Sequence, residues 1–265
     1  MGRHAFRHLD AAYGAHHANI APRTNTQRWM PNVSADFTKP EDFYQVYDRH
    51  RTYVRAEVRK KHRRDFTANI WTPAGFRPGM RVLELGCGVG LFLAYLRSMG
   101  VNDVTGVEMD PKVKEFMPAD LAALVHTTTF EDFLAGPDIG TFDRVVMLDV
   151  FEHFAPGEAV ALLRRLAPLL RPGGKLVIRV PNMASPWGLQ YQYNDLTHKG
   201  SYAPGNIRQL ALAAGWDSEA SLPSRRGSAV RRFTEAAFEC LMNRVLTDPP
   251  PVWTANFIAV LALQD

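Results

Sequence analysis

Apolar and polar positions follow an alternating rhythm from residue 80 to residue 181, in which short apolar runs are separated by segments with helical spacing. The runs of five to seven residues are typical of buried strands, and the segments between them are typical of amphipathic helices. The predicted strands are residues 81–85, 103–108, 122–126, 142–148 and 174–180. The predicted helices are residues 91–99, 111–116, 130–134 and 156–170. Such alternation predicts a parallel sheet with helices on both faces.

The segments outside this rhythm predict additional elements. Residues 1–40 lack periodicity and are expected to be irregular, whereas apolar spacing and Pro40 predict a helix over residues 41–65. After residue 180 the pattern predicts a loop, a helix, a strand, an insertion containing a helix-patterned segment and a final strand. These are residues 181–203, 204–214, 216–221, 222–250 (with helical spacing at 233–246) and 255–262. We therefore expect an N-terminal extension over residues 1–75 and a core domain over residues 76–265.

Composition limits the class of protein. The chain has 265 residues, of which 46% are hydrophobic and 22% charged, as in ordinary globular proteins. Its two cysteines, Cys87 and Cys240, have no ligand-like spacing, so neither a disulfide framework nor a zinc site is expected. No apolar segment approaches the length of a membrane span or an export signal. A cytoplasmic location is the resulting expectation.

Positive charge is concentrated in residues 49–64, which contain eight Lys or Arg and one acid. Arg51, Arg55, Arg59 and Arg63 recur at every fourth position. One interpretation is a solvated helix face, as charge rows usually are. The other is a basic edge, on the acceptor side of a site, that binds a phosphate.

The glycine-rich stretch after the first predicted strand is the main candidate for ligand binding. Gly86, Gly88 and Gly90 follow residues 81–85 and precede a helix whose N-terminal amides favour an anionic or polar ligand. Dinucleotide sites use GxGxxG, but position 91 here is Leu. Glu84 would repel a pyrophosphate and suits a ligand that carries an ammonium and a sulfonium. This combination favours S-adenosylmethionine.

The second predicted strand ends in an acid that supports an adenosine-type ligand. Glu108 lies where a carboxylate accepts both ribose hydroxyls in units of this topology. Met109 follows and is placed to pack against adenine. The alternative for Glu108 is an acid that stabilises the N-terminus of the next helix.

Four sequence blocks carry a family resemblance over roughly residues 80–263. They are VLELGCGVG (82–90), VTGVEMD (104–110), FDRVVMLDVFEHF (142–154) and LRPGGKLVIRVPN (170–182). In this order they resemble class I S-adenosylmethionine-dependent methyltransferases. The resemblance implies a Rossmann-like α/β fold, a seven-stranded mixed sheet whose last strand is antiparallel. It also implies S-adenosylmethionine as cofactor and S-adenosylhomocysteine as product.

The resemblance assigns further residues to the cofactor. The glycine loop, which includes Cys87, resembles the part that binds the methionine end. Thr129 and Phe130 match positions that border the adenine, and Leu148 and Asp149 match positions beside the methyl donor. Residues 180–216 and the end of the chain are similar to methyltransferases of bacterial polysaccharide and glycan biosynthesis. That similarity implies a sugar or glycan hydroxyl as acceptor, with a small natural product as the alternative.

Transfer to a hydroxyl benefits from a general base, and histidine is the usual one. His198 is the first candidate, with Asp195 placed to orient its ring, because the loop over residues 181–203 is expected to cover the acceptor. The alternative for His198 is a hydrogen bond to the backbone. His153 is the second candidate and is expected to support the turn after the fourth strand.

Aromatic, acidic and histidine side chains near the same edge are further candidates for binding the acceptor or a metal. The aromatic residues of the loop either stack on a sugar or pack the loop down; they are Trp187, Tyr191, Tyr193 and Tyr202. No metal is expected, because the acids and histidines near this edge, Asp149, Glu152, His153, Asp195 and His198, lack a ligand spacing that demands one.

Two other functions remain open at this point. An RNA methyltransferase would use the basic segment at 49–64, although no RNA-binding module flanks the core, so nucleic acid is not expected as a partner. A cofactor-binding subunit without catalysis is the second. The expected partner is a small-molecule or glycan acceptor, and the sequence leaves the oligomeric state open.

Overall fold

The computed structural model of the protein describes residues 37–50, 52–137 and 139–264. The chain divides into two compact units, one ending at Val54 and the other beginning at Arg55. The stretch predicted to be irregular falls largely on residues 1–36, outside the described residues. The role of the N-terminal extension as a lid or acceptor-side element stays a prediction.

The prediction of one continuous helix over residues 41–65 is wrong. A 3-10 helix, Pro40–Val46, leads into the short helix α1, Tyr47–His50, and residues 52–59 are not helical. Helix α2, Lys60–Phe66, then continues as a π-helical turn, Thr67–Trp71. A hydrogen bond to a distant segment competes with the helix within residues 52–59, because the Ala56 amide donates to the Phe116 carbonyl at 3.1 Å and not to a helical carbonyl. Arg51 of the basic row lies outside the described residues.

A seven-stranded sheet forms the centre of the second unit, in the order β3-β2-β1-β4-β5-β7-β6. Strand β7 is antiparallel to both of its neighbours, and the other registers are parallel. The predicted seven-stranded mixed sheet with an antiparallel last strand is therefore confirmed. The strands are β1 Arg81–Leu85, β2 Asp103–Glu108, β3 Val125–Thr127, β4 Phe142–Leu148, β5 Leu170–Pro181, β6 Trp216–Pro223 and β7 Asn256–Leu263.

Helices cover the sheet and bury its apolar faces. They are α3 Leu91–Ser98, α4 Ala119–Ala122, α5 Phe130–Ala135, α6 Pro156–Leu166, α7 Leu189–Tyr193, α8 Pro204–Ala214 and α9 Ala229–Val245. Short 3-10 helices occupy Pro111–Phe116, Phe151–His153 and Ala167–Leu169. The predicted insertion at 222–250 thus contains one long helix, α9.

The core lies where the central strands meet. In the parallel register, Leu85 of β1 is opposite Val107 of β2 and Met147 of β4, and all three side chains are fully buried. Burying such side chains contributes about 1.5–3 kcal/mol each. This register brings the carboxyl ends of β1, β2 and β4 to one edge of the sheet, where ligands bind in open α/β folds.

Strand β5 differs from its predicted bounds because it contains an irregularity. Phe142 is opposite Leu170, but Arg144 is opposite Lys175, so residues 171–174 form a bulge. Gly173 has a φ of 73° within it, a left-handed backbone conformation that glycine permits. None of the helices in the described ranges is both long and apolar enough to cross a membrane.

Packing around Gly106 of β2 provides a stability test, because this glycine faces the glycine turn. A Cβ at position 106 would lie 2.8–2.9 Å from side-chain atoms of Leu93, Cys87 and Val125. We expect Gly106→Ala to lower the free energy of unfolding by about 1–3 kcal/mol through overpacking. Urea denaturation of the ligand-free protein measures this change.

Gly157 is the matched control, because it lies in α6 and a Cβ there would meet no described atom within 4 Å. Gly157→Ala should raise stability by about 0.4–1 kcal/mol, since it restricts only the unfolded chain. Equal stability of the two variants would contradict the tight packing of β2 beneath the glycine turn.

Candidate active site

The chain turns at the end of β1 through three glycines with left-handed backbone conformations. Gly86, Gly88 and Gly90 have φ values of 70°, 51° and 75°, a region that side chains rarely adopt. A Cβ on Gly86 would also collide with the Val150 side chain. A Cβ on Gly88 would meet no described atom within 4 Å. Gly88 therefore exposes its backbone to open space, as a close-fitting ligand requires.

Glu84, next to this turn, is a buried carboxylate with unused hydrogen-bonding capacity. Only 3% of the residue is exposed, and its Oε2 has no hydrogen-bond partner among the described residues. Burial raises the pKa of Glu84 well above its ordinary value, the nearby Arg179 lowers it, and Glu108 raises it further. A buried acid of this kind costs stability unless a donor or a cation meets it. It therefore fits a cationic ligand.

Glu108 ties the glycine turn to the end of β2. Its Oε2 accepts a hydrogen bond from the Gly88 amide at 2.9 Å, and its Oε1 accepts one from the Asp110 amide at 3.1 Å. Burial raises the pKa of Glu108, and these two amides partly offset the shift. Each carboxylate oxygen has a second lone pair, which leaves room for ligand hydroxyls. Met109 beside it is 53% exposed.

Asp149 follows β4 in a strained conformation and is held by its neighbours. Its φ of 59° is the only positive value for a non-glycine residue in the described ranges. Arg179 of β5 donates two hydrogen bonds to its carboxylate, at 2.8 Å from Nε and 2.5 Å from Nη2. Asn256 of β7 donates a third at 3.3 Å. Strain held in this way is common at functional sites.

Asp149 is among the residues predicted from the sequence, whereas Arg179 and Asn256 are not. A charged residue within the apolar run LVIRVP was the available signal for Arg179. Asn256 gave no such signal, because its contact depends on β7 pairing beside β5.

The remaining predicted cofactor residues have defined local contacts. Thr129 caps α5, since its Oγ1 accepts a hydrogen bond from the Asp132 amide at 3.1 Å. The Phe130 ring stacks on Phe154 with centroids 6.0 Å apart. Leu148 is the last residue of β4. Their contacts with adenine or the methyl donor stay predictions.

His198 is buried beside two carboxylates. Its side chain is 6% exposed, and its Nε2 lies 4.0 Å from an oxygen of Glu152 and 3.9 Å from an oxygen of Asp195, whose side chains are also buried. Its Nδ1 lies 3.0 Å from the Gln192 carbonyl, and a carbonyl accepts hydrogen bonds only. The proton of a neutral ring is therefore on Nδ1, and Nε2 faces the carboxylates.

His153 supports this arrangement. Its ring contacts the His198 ring edge-to-face with centroids 4.8 Å apart, and its Nδ1 lies 3.3 Å from the Thr197 carbonyl. The Lys199 and Gly200 amides both donate to the Glu152 carbonyl, at 2.9 and 2.8 Å. The structure thus brings Asp195, His198 and His153 together, and the loop folds back onto the turn after β4.

The four aromatic residues of the loop divide by exposure. Tyr202 is 1% exposed, packs on Phe151, and donates its hydroxyl hydrogen bond to the Phe154 carbonyl at 2.6 Å. Stacking of Tyr202 on a sugar is therefore wrong, and the alternative of packing applies. Burial also raises the pKa of its hydroxyl. Trp187 and Tyr193 are 49% and 72% exposed and remain accessible.

No group of three or more His, Cys, Asp or Glu in the described ranges is placed to hold a metal ion. The carboxylate of Asp149, one of the acids considered for this role, is paired with Arg179.

Comparison with known proteins decides the family. Residues 47–221 match the family model described as "Methyltransferase domain", which covers more than half of the chain. The protein belongs to the methyltransferase domain family. The methyltransferase class predicted from the sequence is thereby confirmed.

Curated relatives include the ubiquinone biosynthesis O-methyltransferases of Xanthomonas campestris and Xanthomonas oryzae, both 31% identical. The first aligns over 110 residues, 40% of this chain and 44% of the relative, and the second over 109 residues, 39% and 44%. The matched region is less than half of these relatives' length.

Solved structures share the fold. A SAM-dependent methyltransferase from Archaeoglobus fulgidus is 24% identical, with a TM-score of 0.54 over 75% of this chain and 93% of that chain. The CcbJ methyltransferase from Streptomyces caelestis is 16% identical, with a TM-score of 0.52 over 84% and 96%. These identities establish the fold only.

Glu84 provides a test of cofactor binding in this methyltransferase. Its folded-state pKa is raised, so its ionisation removes stability as the pH rises from 4.5 through the raised value. We expect Glu84→Gln to melt at a higher temperature than the wild type, by a margin that grows with pH, because the amide cannot ionise in this buried position. The same variant should bind S-adenosylhomocysteine roughly 10–100-fold more weakly, because a charged partner of the ligand is lost. Thermal melting and calorimetry measure the two effects.

Glu115→Gln is the control for this variant, since Glu115 is exposed and lies outside the site. It should change neither quantity. A Glu84→Gln protein that binds the ligand as tightly as the wild type would remove Glu84 from the binding site.

Arg179 provides a separate test of the charge balance. Its guanidinium lowers the pKa of Glu84, so Arg179→Met should raise that pKa further. S-adenosylhomocysteine affinity should then fall about tenfold at neutral pH and recover at higher pH. Arg171→Met is the control, because Arg171 lies on the same strand and pairs with Asp143. A loss of affinity that is equal at every pH would show a structural role only.

Proposed function

We propose that this methyltransferase methylates a hydroxyl of a sugar or glycan-biosynthesis intermediate, bound between the carboxyl edge of the sheet and the loop at 181–203. The observation that carries the proposal of hydroxyl transfer is the buried His198 between Glu152 and Asp195. The curated relatives are named as O-methyltransferases, which agrees with a hydroxyl acceptor. The sugar class rests on the sequence similarity of residues 180–216.

Residues around the glycine turn are proposed to hold the cofactor. Glu84 offers a negative charge to its cationic end, Gly88 offers an open backbone, and Glu108 offers carboxylate lone pairs to its ribose hydroxyls. When bound, S-adenosylmethionine supplies a methyl group that is activated by a sulfonium. The contribution of the chain is then to align the acceptor with that methyl group and to remove the acceptor proton.

His198 is proposed as the general base that takes this proton on Nε2. Its Nδ1 hydrogen bond to the Gln192 carbonyl favours the tautomer in which Nε2 carries a lone pair that can accept a proton. The carboxylate oxygens of Glu152 and Asp195 lie 4.0 and 3.9 Å from Nε2, which is longer than a hydrogen bond. Their negative charges are still close enough to stabilise the imidazolium that forms. Because hydrogen bonds at catalytic groups are often long in ligand-free proteins, these distances are compatible with a base.

The acceptor is proposed to contact Tyr193, which is 72% exposed, since an aromatic ring of this kind stacks on the apolar face of a sugar. A phosphate on the acceptor stays a prediction from the basic segment at 49–64.

An intermediate of ubiquinone biosynthesis is a second candidate acceptor. It is favoured by the 31% identity to ubiquinone biosynthesis O-methyltransferases across 110 aligned residues. Because that match spans 44% of the relative, it supports the candidate less strongly than it supports the family. Parallel assays with hydroxylated quinone precursors and with nucleotide-linked sugars separate the two acceptors.

His198→Ala tests the proposed base. We expect kcat to fall by about 10²–10⁴ while the affinity for S-adenosylhomocysteine stays within about twofold, since the base acts on the acceptor. The remaining activity should rise with pH, because hydroxide replaces the lost base. Steady-state kinetics over a pH series and ligand titration measure these quantities.

His126→Ala is the matched control, because His126 is an exposed histidine in β3 that contacts Phe133. Its kinetics should equal those of the wild type. Full activity of His198→Ala with an unchanged pH profile would discard His198 as the base.

A further inference from the structure

Helix α9 turns its apolar side chains toward solvent, whereas the other long helices turn theirs toward the sheet. Helices α6 and α8 bury apolar side chains against the sheet, among them Leu163 and Ile207. Helix α9 has 17 residues and buries none of them. Its exposed large hydrophobic residues are Val230, Phe233, Phe238, Leu241 and Val245.

Four of these residues form one stripe along the helix. Val230, Phe233, Leu241 and Val245, with Ala237 between them, are separated by three or four positions and so lie on one face. Their exposed fractions are 73%, 73%, 58% and 66% for the four large residues. At 1.5 Å per residue the stripe is about 22 Å long. We call it the α9 stripe.

Ion pairs between α9 and the rest of the protein hold the helix so that the α9 stripe faces solvent. Arg232 donates to Asp65 at 2.9 Å, and Glu239 accepts two hydrogen bonds from Arg225 at 2.9 and 2.5 Å. These charged residues are partly buried, so the polar side of α9 faces the protein. An outward apolar face that is held in this way marks an interaction surface.

The stripe continues onto the loop that is predicted to cover the acceptor. The Phe238 ring contacts Trp187 on one side and the buried Trp253 on the other, both with centroids 6.2 Å apart. Trp187 and its neighbour Leu189 are 49% and 46% exposed. Tryptophan, phenylalanine and leucine on one face are typical of helices that lie in a membrane interface.

Charge identifies the partner. The exposed positions of α9 include two arginines, Arg231 and Arg244, and no acidic residue. Glu235 and Glu239, the acids of the helix, are partly buried and paired with arginines. Residues 222–250 as a whole contain five arginines and three acidic residues, a net charge of +2. An apolar stripe flanked by cations is complementary to an anionic lipid surface.

A second copy of the chain fits this surface less well. An antiparallel pairing of two α9 helices would place Arg231 of each copy near Arg244 of the other, and a parallel pairing would place identical arginines together. Since the exposed face of α9 offers no carboxylate, like charges would oppose each other in both cases.

We propose that α9 is a membrane-docking helix, which lies in the interface of an anionic bilayer with the α9 stripe, Trp187 and Leu189 inserted and Arg231 and Arg244 at the headgroups. The helix lies on the bilayer and does not span it. Docking places the loop at 181–203 next to the lipid, so an acceptor held in the bilayer would meet the site directly.

Vesicle binding tests the proposal without reference to catalysis. The full-length protein is mixed with phosphatidylcholine vesicles, with and without phosphatidylglycerol, and bound protein is measured by sedimentation. We expect binding to the anionic vesicles that falls as salt rises, because headgroup attraction is screened. Phe233→Ser combined with Leu241→Ser should weaken binding at least tenfold, because both side chains would leave the acyl region.

Leu212→Ser is the matched control, because Leu212 is a 51% exposed leucine on α8, outside the stripe. It should bind as the wild type does. A polarity-sensitive dye on Cys240, the exposed cysteine of α9, should shift to shorter wavelength with anionic vesicles, while Cys87 is buried and protected from labelling.

Three results would overturn the proposal. One is no binding to anionic vesicles at low salt, and another is an equal loss of binding in the Leu212→Ser control. The third is a concentration-dependent dimer in sedimentation equilibrium that Leu241→Ser abolishes, without vesicle binding, which would assign the stripe to a second copy.

Discussion

Two buried carboxylates at the ends of adjacent parallel strands determine how this methyltransferase is built around its site. Glu84 and Glu108 lie beside the glycine turn, and burial raises the pKa of both. The backbone amides of Gly88 and Asp110 satisfy Glu108, but one oxygen of Glu84 has no partner among the described residues. The interior therefore keeps negative charge that a cationic ligand neutralises, and stability of the empty protein is lower than a neutral site would allow.

The rest of the edge is arranged around this charge. Arg179 lies on β5, which is separated from β1 by β4; it lowers the pKa of Glu84 and holds Asp149 in its strained conformation. One arginine thus connects the cofactor side of the edge with the turn that leads to Glu152 and His198. This connection explains why a charged side chain is kept within an otherwise apolar strand.

The sequence predicted the central strands correctly and the peripheral segments less well, for physical reasons. Strands β1, β2 and β4 have the predicted bounds because apolar residues of each are buried on both faces, and glycine or acidic residues end each run. The continuous helix over 41–65 was wrong because residues 52–59 contact a segment distant in sequence, through the Ala56–Phe116 hydrogen bond, and local spacing carries no signal for that contact. For α9 the periodicity predicted a helix but not its orientation, since the ion pairs that turn its apolar face outward join residues far apart in sequence, such as Arg232 and Asp65. The role of Asn256 could not be predicted either, because its contact with Asp149 also joins residues far apart in sequence.

Calorimetric titration of S-adenosylhomocysteine into the wild-type protein, in two buffers with different ionisation enthalpies, tests the central account most directly. Burial raises the pKa of Glu84, so its carboxyl group is more readily protonated in the empty site, and the ammonium group of the ligand favours its ionised form. The account predicts binding with net proton release, and an affinity that increases with pH. An absence of binding, or binding that releases no protons and is independent of pH, would contradict it.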